Sequence, residues 1–270
     1  MSAELGATEA GRTRSSQPLA ARLDTGFRPT RHGFPFANTW RDTVFGVIAS
    51  RGRCGGMVFA ALDYFDAGEP IEGAGRPADL PAHDSPTARL IWRRQLASVF
   101  NRLGSNLWRF AVLTYLPSGA PRGIGPTTQR EVAVLLALLE AGRPVPLGLV
   151  SALTVRHLAR NHQVLAYGAE IGESGVLVRV YDPNFPRRDD IMVEVPLGGG
   201  PVIERAGTRR ITWRGFFVEQ YRPMARAHPG YAEPLVSHAP DTRLVWGLVG
   251  LGVLAWLVAW LLRGLARRRP

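Results

Sequence analysis

Two strand-like segments joined by a very short turn place the strongest constraint on the fold of this chain. Residues 162–171 and 175–181 are rich in apolar side chains, and Gly172-Glu173-Ser174 between them leaves room only for a hairpin. Helices are predicted earlier in the chain, at 54–66, 87–104 and 127–141. Further strand-like segments follow the hairpin, at 191–195 and 201–217. Helices that precede a sheet indicate an α+β class, with N-terminal helices and a C-terminal antiparallel sheet.

The helix over residues 127–141 has the clearest boundary signals. Thr127 or Thr128 is a candidate N-cap, and Glu131 follows Thr128 by three residues, which matches the capping-box pattern. Gly142 predicts the end of the helix. The next segment, 144–150, reads Pro-Val-Pro-Leu-Gly-Leu-Val and predicts a short buried strand.

The chain divides into a globular domain and flanking segments of different composition. Residues 1–22 are small and polar and have no apolar core segment, which predicts a disordered N-terminus rather than a signal peptide. The domain is expected over residues 23–221. Four prolines between 222 and 243 indicate a linker, and residues 263–270 form a basic tail.

Residues 244–262 form a run of 19 amino acids without a charged side chain. A helix of this length spans roughly 28 Å, close to the thickness of a bilayer's hydrocarbon core. Tryptophans lie in the outer parts of the run, and four arginines follow it. A buried helix of a globular domain is the alternative, but an all-round apolar helix at a chain end lacks partners, so we predict one transmembrane helix.

The side of the membrane on which the domain lies stays open. The arginine-rich tail favours a cytoplasmic C-terminus and hence an external domain. The expected lack of a signal sequence favours instead a tail-anchored protein whose domain lies in the cytoplasm.

The formal charge of +11 does not by itself indicate a nucleic-acid partner. All 33 basic residues are arginine, five of them lie from Arg243 onward, and the other 28 are scattered among 22 acids. A nucleic-acid footprint needs basic residues clustered on one face. No Cys/His cluster has zinc-site spacing, and no cofactor motif is present, so neither a metal nor a cofactor is predicted.

Cys54 is the only cysteine of the chain, so an intramolecular disulfide is excluded. It follows the turn Arg51-Gly52-Arg53 and begins the predicted helix 54–66. The positive end of a helix dipole favours thiolate there, which makes Cys54 a candidate nucleophile. A single cysteine is otherwise most often a small buried apolar residue.

His162 and Asp182 lie at the two ends of the predicted hairpin that antiparallel pairing brings together. A carboxylate on one imidazole nitrogen selects the tautomer and leaves the other nitrogen as a base. With Cys54 next to that nitrogen, nucleophile, base and orienting group are complete. Taken singly, His162 reads as a structural histidine and Asp182 as part of an Asp-Pro-Asn turn.

The segments 141–149 (AGRPVPLGL), 161–168 (NHQVLAYG) and 178–184 (VRVYDPN), together with a helix that begins with cysteine, resemble the papain-like fold. Among proteins of that fold, the chain more closely resembles the cysteine peptidases that trim double-glycine leaders in bacteriocin exporters, and the resemblance covers about residues 45–190. It implies that Cys54 is the nucleophile, His162 the general base and then acid, and Asp182 the orienting residue.

The chain departs from the papain-like pattern at the oxyanion hole. These enzymes usually carry a glutamine a few residues before the cysteine, and here no glutamine occurs between Gln17 and Gln95. Asn38 is the nearest upstream amide, 16 residues before Cys54. It can serve only if the chain loops back, and loss of one donor costs about 100- to 1000-fold in rate.

The resulting hypothesis is a membrane-anchored cysteine hydrolase that acts on peptide or amide bonds through an acyl-enzyme. Two alternatives share the fold: a catalytically weak or inactive domain that binds a peptide or partner, and an acyltransferase. A winged-helix reading of residues 127–181, with 151–160 as recognition helix, is disfavoured because Pro144 and Pro146 flank a strand-like segment.

Overall fold

The computed structural model describes residues 21–44, 48–100 and 105–224, and it confirms the predicted α+β class. The helices are α1 (Pro29–His32), α2 (Cys54–Asp66), α3 (Pro86–Val99), α4 (Ser105–Tyr115) and α5 (Ile124–Glu140), followed by a 3-10 helix (Val155–Arg160). The strands are β1 (Ala21–Asp24), β2 (Arg41–Val44), β3 (Ile48–Arg51), β4 (Val145–Val150), β5 (His162–Ile171), β6 (Gly175–Tyr181), β7 (Met192–Pro196), β8 (Val202–Ala206), β9 (Arg209–Trp213) and β10 (Gly215–Val218).

The main sheet of the described region is antiparallel, curled and eight-stranded. Its strand order is β10-β4-β5-β6-β7-β8-β9, and β1 pairs with the second half of β5. Strands β2 and β3 form a separate hairpin directly before α2. The site-bearing elements are therefore the central strand β5, its partner β6, and the hairpin that leads into α2.

The predicted hairpin is present with the predicted strand limits. Ile171 pairs with Val176 and Leu165 with Tyr181, and the register shifts by one residue between Ala166 and Gly168. Such an irregularity increases the local twist of a strand pair. The two strands stay paired on both sides of the shift, so the open end of the hairpin brings His162 and Asp182 together.

Alternate residues of β5 belong to two separate cores. Leu165 and Tyr167 pack with the apolar side chains of α2 and with aromatic residues of the N-terminal segment, among them Phe27, Phe34 and Trp40. Val164 and Ala166 pack with α5 and with the inward side chains of the other strands. This period of two is what a strand covered on both faces requires.

Three features of the helical region differ from the sequence-based expectations. Helix α5 begins at Ile124 with Gly123 as N-cap, so Thr127 and Thr128 lie inside the helix and the proposed capping box is wrong. Thr128 instead bonds Ile124 and Phe216, and Glu131 accepts the backbone N–H of Val218. Helix α4 was not predicted. The winged-helix reading is also wrong, because residues 155–160 form only a short 3-10 helix.

The flanking segments lie largely outside the described residues. This holds for most of the N-terminal segment, for residues 225–243 of the linker, for the predicted transmembrane helix at 244–262 and for the basic tail. Within the part of the chain that is described, no helix is both long and apolar enough to span a bilayer. The predicted domain start at 23 falls inside β1, which begins at Ala21.

Candidate active site

The β2–β3 hairpin delivers Cys54 to the beginning of α2. At the open end of this hairpin, the N–H of Gly52 donates to the carbonyl of Trp40 at 2.8 Å. Gly52 has a φ of 86°, a left-handed conformation in which a side chain is strained. Cys54 follows two residues later as the first residue of α2 and is half-buried.

Arg53, the N-cap of α2, is held from several directions. Its guanidinium donates to both oxygens of Asp42 at 2.8 Å and to the carbonyl of Ala88 at 2.9 Å. It also lies over the rings of Trp40 and Trp92, at 4.8 and 5.1 Å from their centres. These contacts fix the backbone position from which Cys54 projects.

His162 and Asp182 form a buried hydrogen-bonded pair. Nε2 of His162 and Oδ1 of Asp182 are 2.7 Å apart, and the residues are only 7% and 1% exposed. The backbone N–H of Asn184 donates to the same Oδ1 at 2.8 Å, which fixes the carboxylate within the turn. Because Nε2 carries the proton given to Asp182, Nδ1 is the nitrogen available for proton transfer.

The ionisation of this pair is set by mutual charge rather than by burial. Burial alone would lower the pKa of His162. The charge and hydrogen bond of the Asp182 carboxylate, followed by those of Cys54, instead hold that pKa well above its usual range. Burial would raise the pKa of Asp182, yet the charge and hydrogen bond of His162 keep it below its usual value. The site therefore favours an imidazolium between the Cys54 sulfur and a carboxylate.

Gln163 contacts the sulfur of Cys54, and Glu219 contacts Gln163. Sγ of Cys54 is 3.9 Å from Oε1 of Gln163, and Nε2 of Gln163 donates to both oxygens of Glu219 at 2.9 Å. Burial raises the pKa of Glu219 to about 8. A Cβ at Gly55 would lie 2.1 Å from Gln163 Oε1 and 2.2 Å from Ser98 Oγ, so the residue after the cysteine must be glycine for this packing.

Asn38 reaches the site in spite of its distance in sequence. Its Oδ1 accepts the N–H of Arg53 at 2.5 Å, although the two residues are 15 positions apart. Its backbone N–H donates to the carbonyl of Pro183 at 3.0 Å, and its Nδ2 lies 3.4 Å from Oδ1 of Asn184. Asn38 thus bridges the start of α2 and the turn that carries Asp182, because the hairpin between them folds back on itself.

Three of the contacting residues were not predicted. Gln163 follows His162 directly, and its polar side chain beside the apolar part of the strand was a usable signal. Trp213 stacks on the His162 ring, with centres 6.0 Å apart and planes inclined by 19°. Neither Trp213 nor Glu219 could be linked to His162 without the topology of the sheet.

Among the described residues, no cluster of three or more histidine, cysteine, aspartate or glutamate side chains is arranged to hold a metal ion. Comparison of the chain with protein-family models, with curated proteins and with solved structures returns no match.

Proposed function

We propose that this chain is a papain-like cysteine hydrolase that cleaves peptide or amide bonds through an acyl-enzyme. The observation that carries the proposal is the buried His162–Asp182 pair, whose second imidazole nitrogen is left for Cys54 at the start of a helix. Nucleophile, base and orienting group then stand in the order that covalent catalysis needs. The resemblance of segments 141–149, 161–168 and 178–184 to papain-like peptidases supports the same reaction.

In the acylation step, Nδ1 of His162 holds the proton of the Cys54 thiol. The sulfur adds to the carbonyl carbon of the substrate, and the π electron pair moves onto the oxygen. His162 then gives its proton to the leaving nitrogen as the C–N bond breaks, which leaves a thioester on Cys54.

Deacylation reverses these roles. Nδ1 of His162 takes a proton from water while the water oxygen adds to the thioester carbon. The C–S bond breaks, the carboxylic acid product leaves, and the thiolate–imidazolium pair is restored. Asp182 keeps its proton count throughout and stabilises the imidazolium.

We infer that Asn38 takes the place of the glutamine that papain-like enzymes usually carry. The first backbone N–H of α2, at Cys54, is one donor for the developing oxyanion. The Nδ2 group of Asn38 is the second, since the Oδ1 of the same amide is engaged by the N–H directly before Cys54. The residue enters from 16 positions upstream through the β2–β3 hairpin.

The proposal includes attachment to a membrane through residues 244–262, with the substrate a peptide or amide that reaches the anchored domain. An amine in place of water would make the same acyl-enzyme an acyltransferase. A domain that had lost the chemistry would retain peptide or partner binding.

Alkylation of Cys54 by iodoacetamide tests the proposal, because the thiol is unique in the chain. The wild-type rate near pH 7 should exceed that of a free unperturbed thiol about tenfold or more, and His162→Ala should remove this excess. Incubation with fluorescence-quenched peptides and mass spectrometry should then detect a thioester on wild-type protein and none on Cys54→Ala. A wild-type alkylation rate equal to that of a free thiol and unaffected by His162→Ala would contradict a hydrolase and favour a binding domain.

A further inference from the structure

A buried glutamate, Glu204, lies behind the His162–Asp182 pair on strand β8. It is 0% exposed, and its Oε2 accepts the indole N–H of Trp213 at 2.9 Å. Trp213 in turn stacks on the imidazole of His162. Glu204 therefore belongs to the surroundings of the catalytic pair, although it is too far along the chain to be assigned from sequence.

Two carboxyl oxygens in this region are buried and have no donor among the described residues. They are Oδ2 of Asp182 and Oε1 of Glu204. The carboxyl groups of Asp182 and Glu204 are within hydrogen-bonding reach of each other. Two adjacent buried carboxylates cannot both be ionised at low cost, and one shared proton gives both leftover oxygens a partner. Asp182 stays ionised because it faces His162, so the proton belongs to Glu204.

The neighbours of Glu204 agree with this assignment. Burial, followed by the charge and hydrogen bond of Asp182, raises the pKa of Glu204 to about 8, against weaker opposing effects of His162 and Trp213. The residues opposite Glu204 on the adjoining strands are Val193 and Ile211, which offer no charge. The groups that face the carboxyl are therefore Asp182, His162 and the Trp213 N–H.

We propose that Glu204 is a protonated positioning residue that donates an O–H···O hydrogen bond to Oδ2 of Asp182, and that loss of its proton loosens the His162–Asp182 pair and limits the site at alkaline pH. The effect of Glu204 on catalysis rests on the proposed function. The proton shared between Glu204 and Asp182 does not depend on it. Once Glu204 is ionised, a second buried negative charge repels Asp182, and the indole of Trp213 is its one remaining donor among the described residues.

Glu204→Gln separates this role from simple packing. The glutamine amide can donate to Asp182 through Nε2 and accept from Trp213 through Oε1, but it cannot titrate. Glu219→Gln is the matched control, because Glu219 is equally buried and its pKa is also raised to about 8, yet it bonds Gln163 rather than Asp182. Both variants keep a hydrogen-bonding side chain of similar volume.

Two spectroscopic measurements on the full chain in detergent test the proposal without requiring activity. Infrared difference spectra at pH 6.5 should show that Glu204→Gln removes one protonated carboxyl. In protein with ¹⁵N-labelled histidine, the ring resonances of His162 should shift in two coupled steps, one of them near pH 8, in wild type and in Glu219→Gln. Glu219 also has a pKa of about 8 and interacts with His162 by charge, so Glu204→Gln is combined with Glu219→Gln. The double variant should leave a single step.

The outcomes distinguish this role from the proposed hydrolase. A step near pH 8 that persists in the Glu204→Gln/Glu219→Gln double variant, or an infrared spectrum in which Glu204→Gln removes no protonated carboxyl, overturns the shared proton even if Cys54 is an active nucleophile. Loss of the protonated carboxyl in Glu204→Gln and of the step near pH 8 in the double variant, together with a Cys54 that alkylates like a free thiol, supports the shared proton and rejects the hydrolase.

Discussion

Nε2 of His162 lies 2.7 Å from Oδ1 of Asp182, although 20 positions separate the two residues in the chain. The β5–β6 hairpin brings them together, and a one-residue register shift near Tyr167 alters the pairing without parting them. Both side chains are buried, so the contact is little screened by solvent. The carboxylate thus controls both the tautomer and the charge of the imidazole that we propose as the base for Cys54.

Asp182→Asn is expected to preserve the geometry of this pair and to weaken its charge. The amide oxygen can still accept from Nε2, but without the carboxylate the pKa of His162 should fall towards the lower value that burial favours. The thiolate–imidazolium pair then loses its stabilisation, and alkylation of Cys54 by iodoacetamide at pH 6 should slow about tenfold or more. The pH profile of the alkylation rate measures this change.

Asp190→Asn is the control for Asp182→Asn, since Asp190 pairs with Arg188 at the surface. It should leave the profile unchanged. A profile that is the same in Asp182→Asn and wild type would mean that Asp182 does not act on the charge of His162.

Asn38→Asp tests the second oxyanion donor. The aspartate keeps an oxygen that can accept the N–H of Arg53, but it has no N–H to give to the substrate oxygen. We expect kcat to fall about 100- to 1000-fold with little change in KM, as for loss of one oxyanion donor.

Asn38→Ala provides the structural comparison for Asn38→Asp. It leaves the Arg53 N–H without its acceptor and should lower the free energy of unfolding by about 1–3 kcal/mol, whereas Asn38→Asp should lower it less. Equal losses of stability in the two variants, with kcat of Asn38→Asp close to wild type, would make Asn38 a purely structural residue.

The sequence was sufficient where the determinants of structure are local. The limits of α2, β5 and β6 follow from apolar periodicity and from the Gly172-Glu173-Ser174 turn, and the meeting of His162 with Asp182 follows from antiparallel pairing alone. The start of α5 was misjudged because threonine and glutamate three residues apart also occur inside a helix. There Thr128 and Glu131 bond the neighbouring strand β10 instead.

The rest of the site depends on contacts between distant segments. Glu204, Trp213 and Glu219 reach His162 or Gln163 only through the order of strands in the curled sheet, which no local pattern encodes. Asn38 was identified as an upstream amide, but its approach to Arg53 needed the β2–β3 hairpin, which was not predicted. A short hairpin within a continuous apolar run is not evident from periodicity.

The run at 244–262 is expected to hold the full chain in the membrane. After alkaline carbonate washing, the full chain should stay in the membrane pellet, and a chain ending at Pro229 should appear in the supernatant. A membrane-impermeant maleimide then reports the side of the domain, since Cys54 is the only thiol. Release of the full chain by carbonate would contradict a transmembrane helix.

The unfolding free energy is expected to fall as pH rises from about 5 to 8, and Glu219→Gln should flatten this dependence. Burial raises the pKa of Glu219 to about 8, so between its ordinary pKa near 4.5 and that value the folded chain binds a proton that the unfolded chain has released. Stability from this group is therefore complete below pH 4.5 and lost by pH 8, at up to about 1.4 kcal/mol per pH unit. Glu204 and His162, whose pKa values are also raised, contribute a remaining slope of the same sign.

Urea unfolding of wild type and Glu219→Gln at pH 5, 6, 7 and 8 measures the difference between their slopes. In the variant, the glutamine oxygen still accepts from Nε2 of Gln163, so its stability should approach or exceed that of wild type at the upper end of the range. Glu140→Gln, at the exposed end of α5, should keep the wild-type slope. Equal slopes in Glu219→Gln and wild type would show that Glu219 is ionised in the folded chain at neutral pH. A negative charge would then lie next to Gln163, which contacts Cys54, and the proposed mechanism contains no such charge.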